Sequence, residues 1–180
     1  MSLIYLVKVG TVEEGVLDFL QLGLADAFGL RVHCLDSLPE PSYAFDPKRH
    51  QYSSVALMHE LMKVCPGPGV RVLGITERDL FIPVLSFVFG QAQLNGPLSV
   101  VSLARLHQEF YQLPADSRVV EERALKESMH ELGHTFGLVH CPEKSCPMSL
   151  ATNIRQLDLK RTEWCVSCEI LLEEVMVERG

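Results

Sequence analysis

The sequence predicts a mixed α/β (α+β) fold in which a twisted, mostly parallel sheet supports one long helix. Two strand-helix-strand units follow each other within the first 76 residues. Such units pair their strands in parallel through right-handed crossovers. A long helical segment that begins near Ser117 follows in the second half of the chain. With 180 residues, the chain can form one domain with a substantial core.

The first unit begins with an apolar, β-prone segment at residues 3–9. Apolar side chains then recur at near-helical spacing as far as Phe28, which predicts a helix that Thr11 or a neighbour caps. Gly29 is expected to end this helix, because glycine adopts the left-handed conformation at low cost. Residues 30–35 alternate in polarity and are predicted to form a second strand.

The second unit is preceded by a loop at residues 36–51, which contains three prolines. Ser53 or Ser54 is expected to cap a helix that runs to about Cys65. A Pro-Gly-Pro-Gly sequence then breaks the helix. Residues 70–76 are predicted to form the third strand.

The most apolar run lies at residues 80–90 and contains Pro83. Proline cannot donate a hydrogen bond within a sheet, so this run cannot be one central strand. We therefore expect a turn at residues 77–83 and a strand near 85–91. Residues 98–103 are predicted to form a further strand.

The last third of the chain is predicted to be helical in three places. The long helix that begins at Ser117 or a neighbour carries His130 and His134. A helix is expected to start around Leu157 and run towards Trp164. An amphipathic helix is expected from Cys165 onward, with apolar side chains among glutamates.

The strongest functional signal is the segment His130–His140, which reads H-E-L-G-H-T-F-G-L-V-H. Residues four apart share one face of a helix, so His130 and His134 can bind one metal ion. Gly137 allows a sharp turn after the helix, and His140 can then return as a third ligand. Three protein ligands leave zinc an open position for water, as a catalytic site requires.

Glu131 stands next to the first histidine and is predicted to act on a zinc-activated water as a general base. Gly133 is expected to leave room beside the metal. A similar but incomplete pattern occurs at His59–Lys63, where Lys63 replaces the second histidine. We interpret that segment as an ordinary helix face, because a lysine ammonium cannot take the histidine's place as a ligand.

Six cysteines are present. Cys34 and Cys65 are predicted to be small buried hydrophobic residues. The other four, Cys141, Cys146, Cys165 and Cys168, have the spacing of two knuckles that close on one structural zinc ion. Two disulfides or a redox pair are the alternatives for these four residues. Clustered cysteines in a reducing compartment are more often metal ligands.

The eleven-residue motif, the downstream Met148 and the two cysteine pairs together resemble the archaemetzincin (archaelysin) family of the metzincin clan of zinc peptidases. The resemblance is dense over residues 130–168. The gap between Met148 and Cys165 is one residue shorter than in the family pattern. This difference falls in a loop-and-turn region.

This resemblance implies a zincin-like fold with an antiparallel edge strand above the active-site cleft. Residues 1–137 would contain the sheet and the active-site helix, and residues 138–180 a zinc-stapled C-terminal subdomain of the same catalytic domain. Met148 would form the apolar floor under the histidines. An extended substrate would dock along Phe89–Gln93 as an added strand.

The predicted function is therefore that of a zinc metallopeptidase with two zinc ions per chain and a peptide or protein substrate. Aminopeptidase-like cleavage is one form that this activity could take. The alternative is a zinc-stabilised binding module for peptides or proteins with weak or lost catalysis. The presence of Glu131 with all three histidines favours the enzyme, because a structural zinc needs no general base.

Composition excludes several classes of partner. The net charge of −7 and the sequence pI of about 5.5 argue against nucleic acid and anionic membranes. No apolar run reaches the roughly 18 residues that span a bilayer. The N-terminus lacks the basic region and cleavage site of a signal peptide, so we expect a cytoplasmic protein. The sequence leaves the oligomeric state open.

Overall fold

The computed structural model describes residues 3–178, and of Glu178 the backbone only; the two residues at each end of the predicted 1–180 domain lie outside this description. Short 3₁₀ helices at Ser42–Ala44 and Gln108–Tyr111 join the longer elements. In chain order these elements are β1 (Leu3–Lys8), α1 (Glu14–Phe28), β2 (Val32–Cys34), β3 (Phe45–Asp46), β4 (Gln51–Ser53), α2 (Ser54–Val64), β5 (Val70–Thr76), β6 (Leu80–Phe81), β7 (Gly90–Ala92), β8 (Leu98–Ser102), α3 (Ser117–Phe136), α4 (Ile154–Asp158) and α5 (Val166–Glu178).

A five-stranded sheet with the strand order β2-β1-β5-β8-β7 forms the centre of the molecule. The pairs β1–β2, β1–β5 and β5–β8 are parallel, whereas β7 pairs antiparallel with β8. The predicted mostly parallel sheet with an antiparallel edge strand is therefore confirmed.

The side chains of β1 alternate between the two faces of this sheet. Ile4 and Leu6 pack into the cluster that contains the buried faces of α1 and α3. Val7 packs into the opposite cluster with Leu57 and Leu61 of α2. This alternation follows from the two-residue period of a strand, and covering both faces with helices is typical of parallel sheets. The sheet thus holds α3, which carries the histidine motif, on one face.

The signals that end or begin helices mostly act as expected. Gly29 ends α1 in the left-handed conformation with φ 62°, and Ser53 caps α2 by accepting a hydrogen bond from the Ala56 N–H. The cap that was expected at Thr11 or a neighbour is Glu13, and its side chain makes no capping hydrogen bond. Local capping chemistry therefore explains two of these three ends.

The prediction for the middle of the chain is wrong in detail. Residues 83–84 form a turn and residues 85–86 a bend, and the predicted strand near 85–91 is reduced to β7. The carbonyl of Ser86 accepts a hydrogen bond from the Gln51 side chain, 2.9 Å away, and the carbonyl of Leu85 accepts one from Arg49. Side chains at the start of β4 and just before it thus satisfy these carbonyl groups from 35 or 36 residues away, and such contacts leave no periodic pattern in the sequence.

Two segments that were predicted to lack strands contain a second, small sheet. The strands β3 and β4 lie within or next to the predicted loop at 36–51, and β6 lies within the predicted turn at 77–83. Their order is β3-β4-β6. These strands have two or three residues each, too few for a visible alternation of polarity.

Further differences concern the C-terminal third and the isolated cysteines. The helix predicted from Leu157 towards Trp164 is wrong, because α4 begins at Ile154 and ends at Asp158. Asn153 caps it by accepting a hydrogen bond from the Gln156 N–H at 3.1 Å. Cys34 is exposed rather than buried, and Cys65 is half-buried. Both lie near strand or helix ends, where a side chain can face solvent.

The long helix α3 begins where its N-cap residue, Asp116, accepts hydrogen bonds from the N–H groups of Arg118 and Val119. From Ala124 to Gly133 every residue of α3 is buried, including charged side chains. Among residues 3–178, the structure contains no helix with the length and apolar character needed to cross a bilayer.

We predict that Asp116→Ala lowers the free energy of unfolding by about 1 kcal/mol, because two N–H groups at the start of α3 lose their acceptor. Urea denaturation of the metal-loaded protein measures this change. The matched control is Glu13→Ala at the start of α1, where the side chain makes no capping bond and no loss is expected. Equal stability of the two variants would contradict the assigned cap.

Candidate active site

Three imidazole rings meet at the C-terminal end of α3. The ligand atoms of His130, His134 and His140 all lie within 4.8 Å of one another. The Nε2 atoms of His130 and His134 are 3.1 Å apart. Two nitrogens bound tetrahedrally to one zinc ion, each about 2.0–2.1 Å from it, would be separated by about 3.4 Å. The three histidines could therefore hold a zinc ion with little adjustment.

The backbone selects which nitrogen of each helical histidine faces this position. His130 Nδ1 lies 2.8 Å from the Pro147 carbonyl oxygen, and His134 Nδ1 lies 2.8 Å from that of Leu138. A carbonyl oxygen can only accept a hydrogen bond, so each Nδ1 must carry the proton. The lone pairs on both Nε2 atoms are then free for a metal.

Burial lowers the pKa of all three histidines and is the main cause of the shift in each. The effect is strongest for His130, whose pKa lies well below its ordinary value. The positive charge of Lys160 lowers the three pKa values further. Neutral imidazole is the form that binds metal, so the site favours ligation near neutral pH.

The turn that brings His140 to the other two rings depends on Gly137. This residue is left-handed with φ 102°, and its N–H points back to the carbonyls of Gly133 and His134. The N–H of Leu138 also reaches the Gly133 carbonyl, at 3.0 Å. Such a pair of bonds closes a helix and reverses the chain. The predicted stop at Gly137 is confirmed.

Gly133 lets Met148 approach the helix. A Cβ atom at Gly133 would overlap the Met148 sulfur, which is fully buried in the structure. The space that was predicted to lie beside the metal is thus filled by this side chain. Met148 packs against α3 at Gly133, and its carbonyl accepts a hydrogen bond from the Cys141 N–H at 3.0 Å.

Glu131 is buried beside the three histidines and contacts the edge strand. A Cβ atom at Gly90 in β7 would lie 2.7 Å from Glu131 Cγ, so glycine at this position makes room for the carboxylate. Burial, and then the charge of Glu127, hold the pKa of Glu131 well above its ordinary value. A carboxylate with a raised pKa is a stronger base.

Two buried charged residues of the site were not predicted from the sequence. Lys160 Nζ lies 3.4 Å from His130 Nδ1 and 4.0 Å from Glu127 Oε2. Among the described residues, this Glu127 oxygen has no hydrogen-bond partner. Glu127 precedes Glu131 by four residues on one helix face, a spacing that could have indicated it. Nothing in the sequence connects Lys160 with α3.

The site lies in a cleft of about 390 Å³. Its lining includes the strand β7, the segment Phe87–Phe89 and the residues Leu150, Ala151 and Thr152. A tyrosine side chain could stabilise the transition state of peptide hydrolysis, but none of the chain's four tyrosines (Tyr5, Tyr43, Tyr52 and Tyr111) lines this cleft. A groove with a strand edge on one side can accept an extended chain.

The four clustered cysteines form a second candidate metal site. Their sulfur atoms all lie within 4.8 Å of one another, and those of Cys141 and Cys165 are 3.7 Å apart. Four sulfurs bound tetrahedrally at about 2.3 Å from a zinc ion are separated by about 3.8 Å, whereas a disulfide requires about 2.05 Å. The four cysteines are free thiols, and their arrangement fits a metal ion better than two disulfides.

The sequence and the fold resemble those of known proteins. The sequence profile of Peptidase family M54 matches residues 43–174. The archaemetzincin of Methanocaldococcus jannaschii is 41% identical over 160 residues, which cover 89% of this chain and 87% of the relative. The archaemetzincin of Pyrococcus furiosus is 39% identical over 179 residues, or 96% of this chain and 93% of the relative.

Solved structures agree with this result. The crystal structure of archaemetzincin from Methanopyrus kandleri is 36% identical with a TM-score of 0.84, and the match covers 98% of this chain and 96% of that one. A zinc-dependent peptidase from Methanocorpusculum labreanum is 30% identical with a TM-score of 0.85, covering 94% and 99% of the two chains. Both the sequence and the fold therefore match over nearly the whole length.

We predict that Gly133→Ala weakens metal binding at the histidines and lowers the free energy of unfolding by about 1–3 kcal/mol, because the new methyl group displaces Met148. Chelator competition and urea denaturation measure the two effects. The control is Gly15→Ala in α1, where a Cβ atom meets nothing within 4 Å. Unchanged metal affinity in Gly133→Ala would show that the Met148 contact does not position the histidines.

Proposed function

Because this chain belongs to Peptidase family M54 and is a zinc metallopeptidase, we propose that His130, His134 and His140 bind its catalytic zinc and that Glu131 is the general base. Its substrates are peptides or proteins. One observation carries the proposal. The Nε2 atoms of His130 and His134 converge to 3.1 Å while both Nδ1 atoms are held by backbone carbonyls, next to a buried carboxylate.

When bound, zinc supplies a Lewis acid that lowers the pKa of water and polarises the substrate carbonyl. Glu131 accepts a proton from the attacking water while the water oxygen bonds to the carbonyl carbon. The same carboxyl group then delivers that proton to the amine nitrogen as the C–N bond breaks. The raised pKa of Glu131 supports both roles, because the group must take the proton and hold it until the amine leaves.

The edge strand β7 is proposed to hold the substrate main chain. It pairs with β8 on one side only and is the last strand in the sheet order. The backbone on its other side faces the cleft and can pair with an extended peptide along Phe89–Gln93. Gly90 allows the carboxylate of Glu131 to lie directly against this strand. Substrate backbone and general base would therefore be adjacent.

Cys141, Cys146, Cys165 and Cys168 are proposed to bind a second, structural zinc ion, giving two per chain. On this proposal, residues 1–180 form one catalytic domain whose C-terminal part, from residue 138, is stapled by that ion. His140 and Cys141 are neighbours in sequence, so the two metal sites share one peptide unit. The cysteine site would then restrain the turn that positions His140.

We expect Glu131→Gln to reduce kcat by at least about 100-fold while the protein keeps its catalytic zinc, because the amide cannot accept the proton. Mass spectrometry of the peptide products measures kcat, and zinc analysis of the same sample measures the zinc content of the protein. Glu60→Gln is the matched control, since Glu60 lies in the similar His59–Lys63 segment and pairs with Lys63 on the surface. Full activity of Glu131→Gln would refute the assigned base. Peptide binding without cleavage by the parent would instead support a binding module.

We predict that Cys165→Ser lowers the affinity of the histidine site for metal by about tenfold or more, although Cys165 is not one of its ligands. Cobalt substitution separates the two sites, because only thiolate-bound cobalt has intense charge-transfer bands. Circular dichroism verifies that the variant is folded, and Cys34→Ser, outside the cluster, is the control. Equal affinity of the histidine site in Cys165→Ser and the parent would disprove the coupling.

A further inference from the structure

We infer that a second cavity beside the catalytic cleft binds a substrate segment in which a large apolar side chain stands next to a carboxylate. This inference rests on the proposed function, because it names the substrate class for the same site. The cavity has a volume of about 470 Å³. Its walls include Phe87, Phe110, Ile154 and Arg155.

The second cavity adjoins the cleft that contains the histidines. Phe87 and Thr152 line both spaces, so they form the boundary between them. The apolar surface also continues across this boundary. Leu150 in the cleft is 53% exposed, and Phe110 in the second cavity is 49% exposed. Exposed apolar surface that extends from a reactive site indicates a binding surface.

The aromatic walls of this cavity are held in place before any ligand binds. The guanidinium of Arg105 lies over the Phe87 ring at 4.0 Å and over the Phe110 ring at 4.8 Å. Both oxygens of Asp79 accept hydrogen bonds from Arg105, at 2.8 and 2.9 Å. This ion pair compensates the charge of Arg105 and leaves the rings as apolar surface. Preorganised walls bind an apolar side chain with little loss of entropy.

Arg155 is the group that selects a carboxylate. Among the described residues, its guanidinium has no hydrogen-bond or ion-pair partner, although the chain as a whole carries a net charge of −7. The neighbouring Asn153 already uses its side-chain oxygen to cap α4. An uncompensated guanidinium beside aromatic walls favours a ligand that combines apolar surface with a carboxylate, which arginine can bind through two N–H groups.

The direction of the edge strand places this cavity relative to the cleaved bond. The strand β7 begins at Gly90, shortly after Phe87. A peptide that pairs antiparallel with β7 therefore runs towards Phe87 with its C-terminal part. The cavity would then receive residues that follow the cleaved bond. The carboxylate of the substrate can be the C-terminus of the peptide or the side chain of an acidic residue.

Three peptides that share one sequence with a phenylalanine near the C-terminus test this inference. The first ends in a free carboxylate, the second in an amide, and the third in an amide with a glutamate added beside the phenylalanine. In the zinc-loaded parent, we expect the first or the third to have a kcat/KM about tenfold above the second, chiefly through KM. Whichever of these two is preferred identifies the source of the carboxylate.

Arg155→Gln is expected to remove this tenfold preference, so that kcat/KM for the carboxylate peptide falls to the value that the same variant has for the amide peptide. Arg118→Gln is the matched control, because it removes the same charge from an exposed arginine that lines neither cavity. A preference that persists in Arg155→Gln, or that falls equally in Arg118→Gln, would overturn the assignment to Arg155. Phe110→Ala should lower the preference for phenylalanine over alanine at the same substrate position by several-fold.

A binding measurement separates this inference from the proposed function. Fluorescence anisotropy with the zinc-loaded Glu131→Gln protein gives the Kd of each labelled peptide without turnover. The inference is supported if a carboxylate peptide binds more tightly than the amide peptide and the additional substitution Arg155→Gln removes this difference. This result supports the assigned cavity even if the parent cleaves none of the peptides. Equal binding of all three peptides, or no binding of any, overturns the inference even if the parent is an active peptidase.

Discussion

The turn at Gly137 is the constraint on which the site depends. A left-handed residue at this position ends α3 and directs the chain back, so that the His140 ring lies next to those of two histidines still in the helix. The next residue, Cys141, points into the cysteine cluster. A side chain other than glycine is strained at φ 102°, and relaxing that strain would move both groups at once. Two candidate metal sites are thus tied to one backbone conformation.

Burial determines the electrostatics around this turn. It keeps the three imidazoles neutral and the Glu131 carboxyl basic, and the neighbouring Lys160 and Glu127 are themselves buried. Such a group of charges contributes little to stability, because desolvation offsets much of the attraction between opposite charges. The Glu127 Oε2 atom, which has no hydrogen-bond partner within residues 3–178, is consistent with that view. The proposed roles of these residues in metal binding and proton transfer explain the arrangement better than folding stability does.

The sheet supplies the other half of the cleft. Its parallel strands bury both faces under helices, but the antiparallel strand β7 leaves one edge open beside α3. Open edges are normally a hazard for aggregation, and this one is only three residues long. An edge of this length next to a buried carboxylate is suited to holding a short stretch of peptide. The aromatic cavity that follows Phe87 extends the same surface beyond the strand.

The sequence by itself determined the mixed α/β class, the long helix, the three histidines with Glu131 and the four clustered cysteines. These features depend on local rules: a helical period, a glycine that permits a turn, and fixed ligand spacings. Only the tertiary structure decided three other features. These are the exact position of β7, the small sheet β3-β4-β6, and the buried pair of Glu127 and Lys160. Lys160 reaches His130 across 30 residues of sequence, and Gln51 satisfies Ser86 across 35. Such contacts leave no periodic pattern in the sequence, because they form only after the sheet has brought distant segments together.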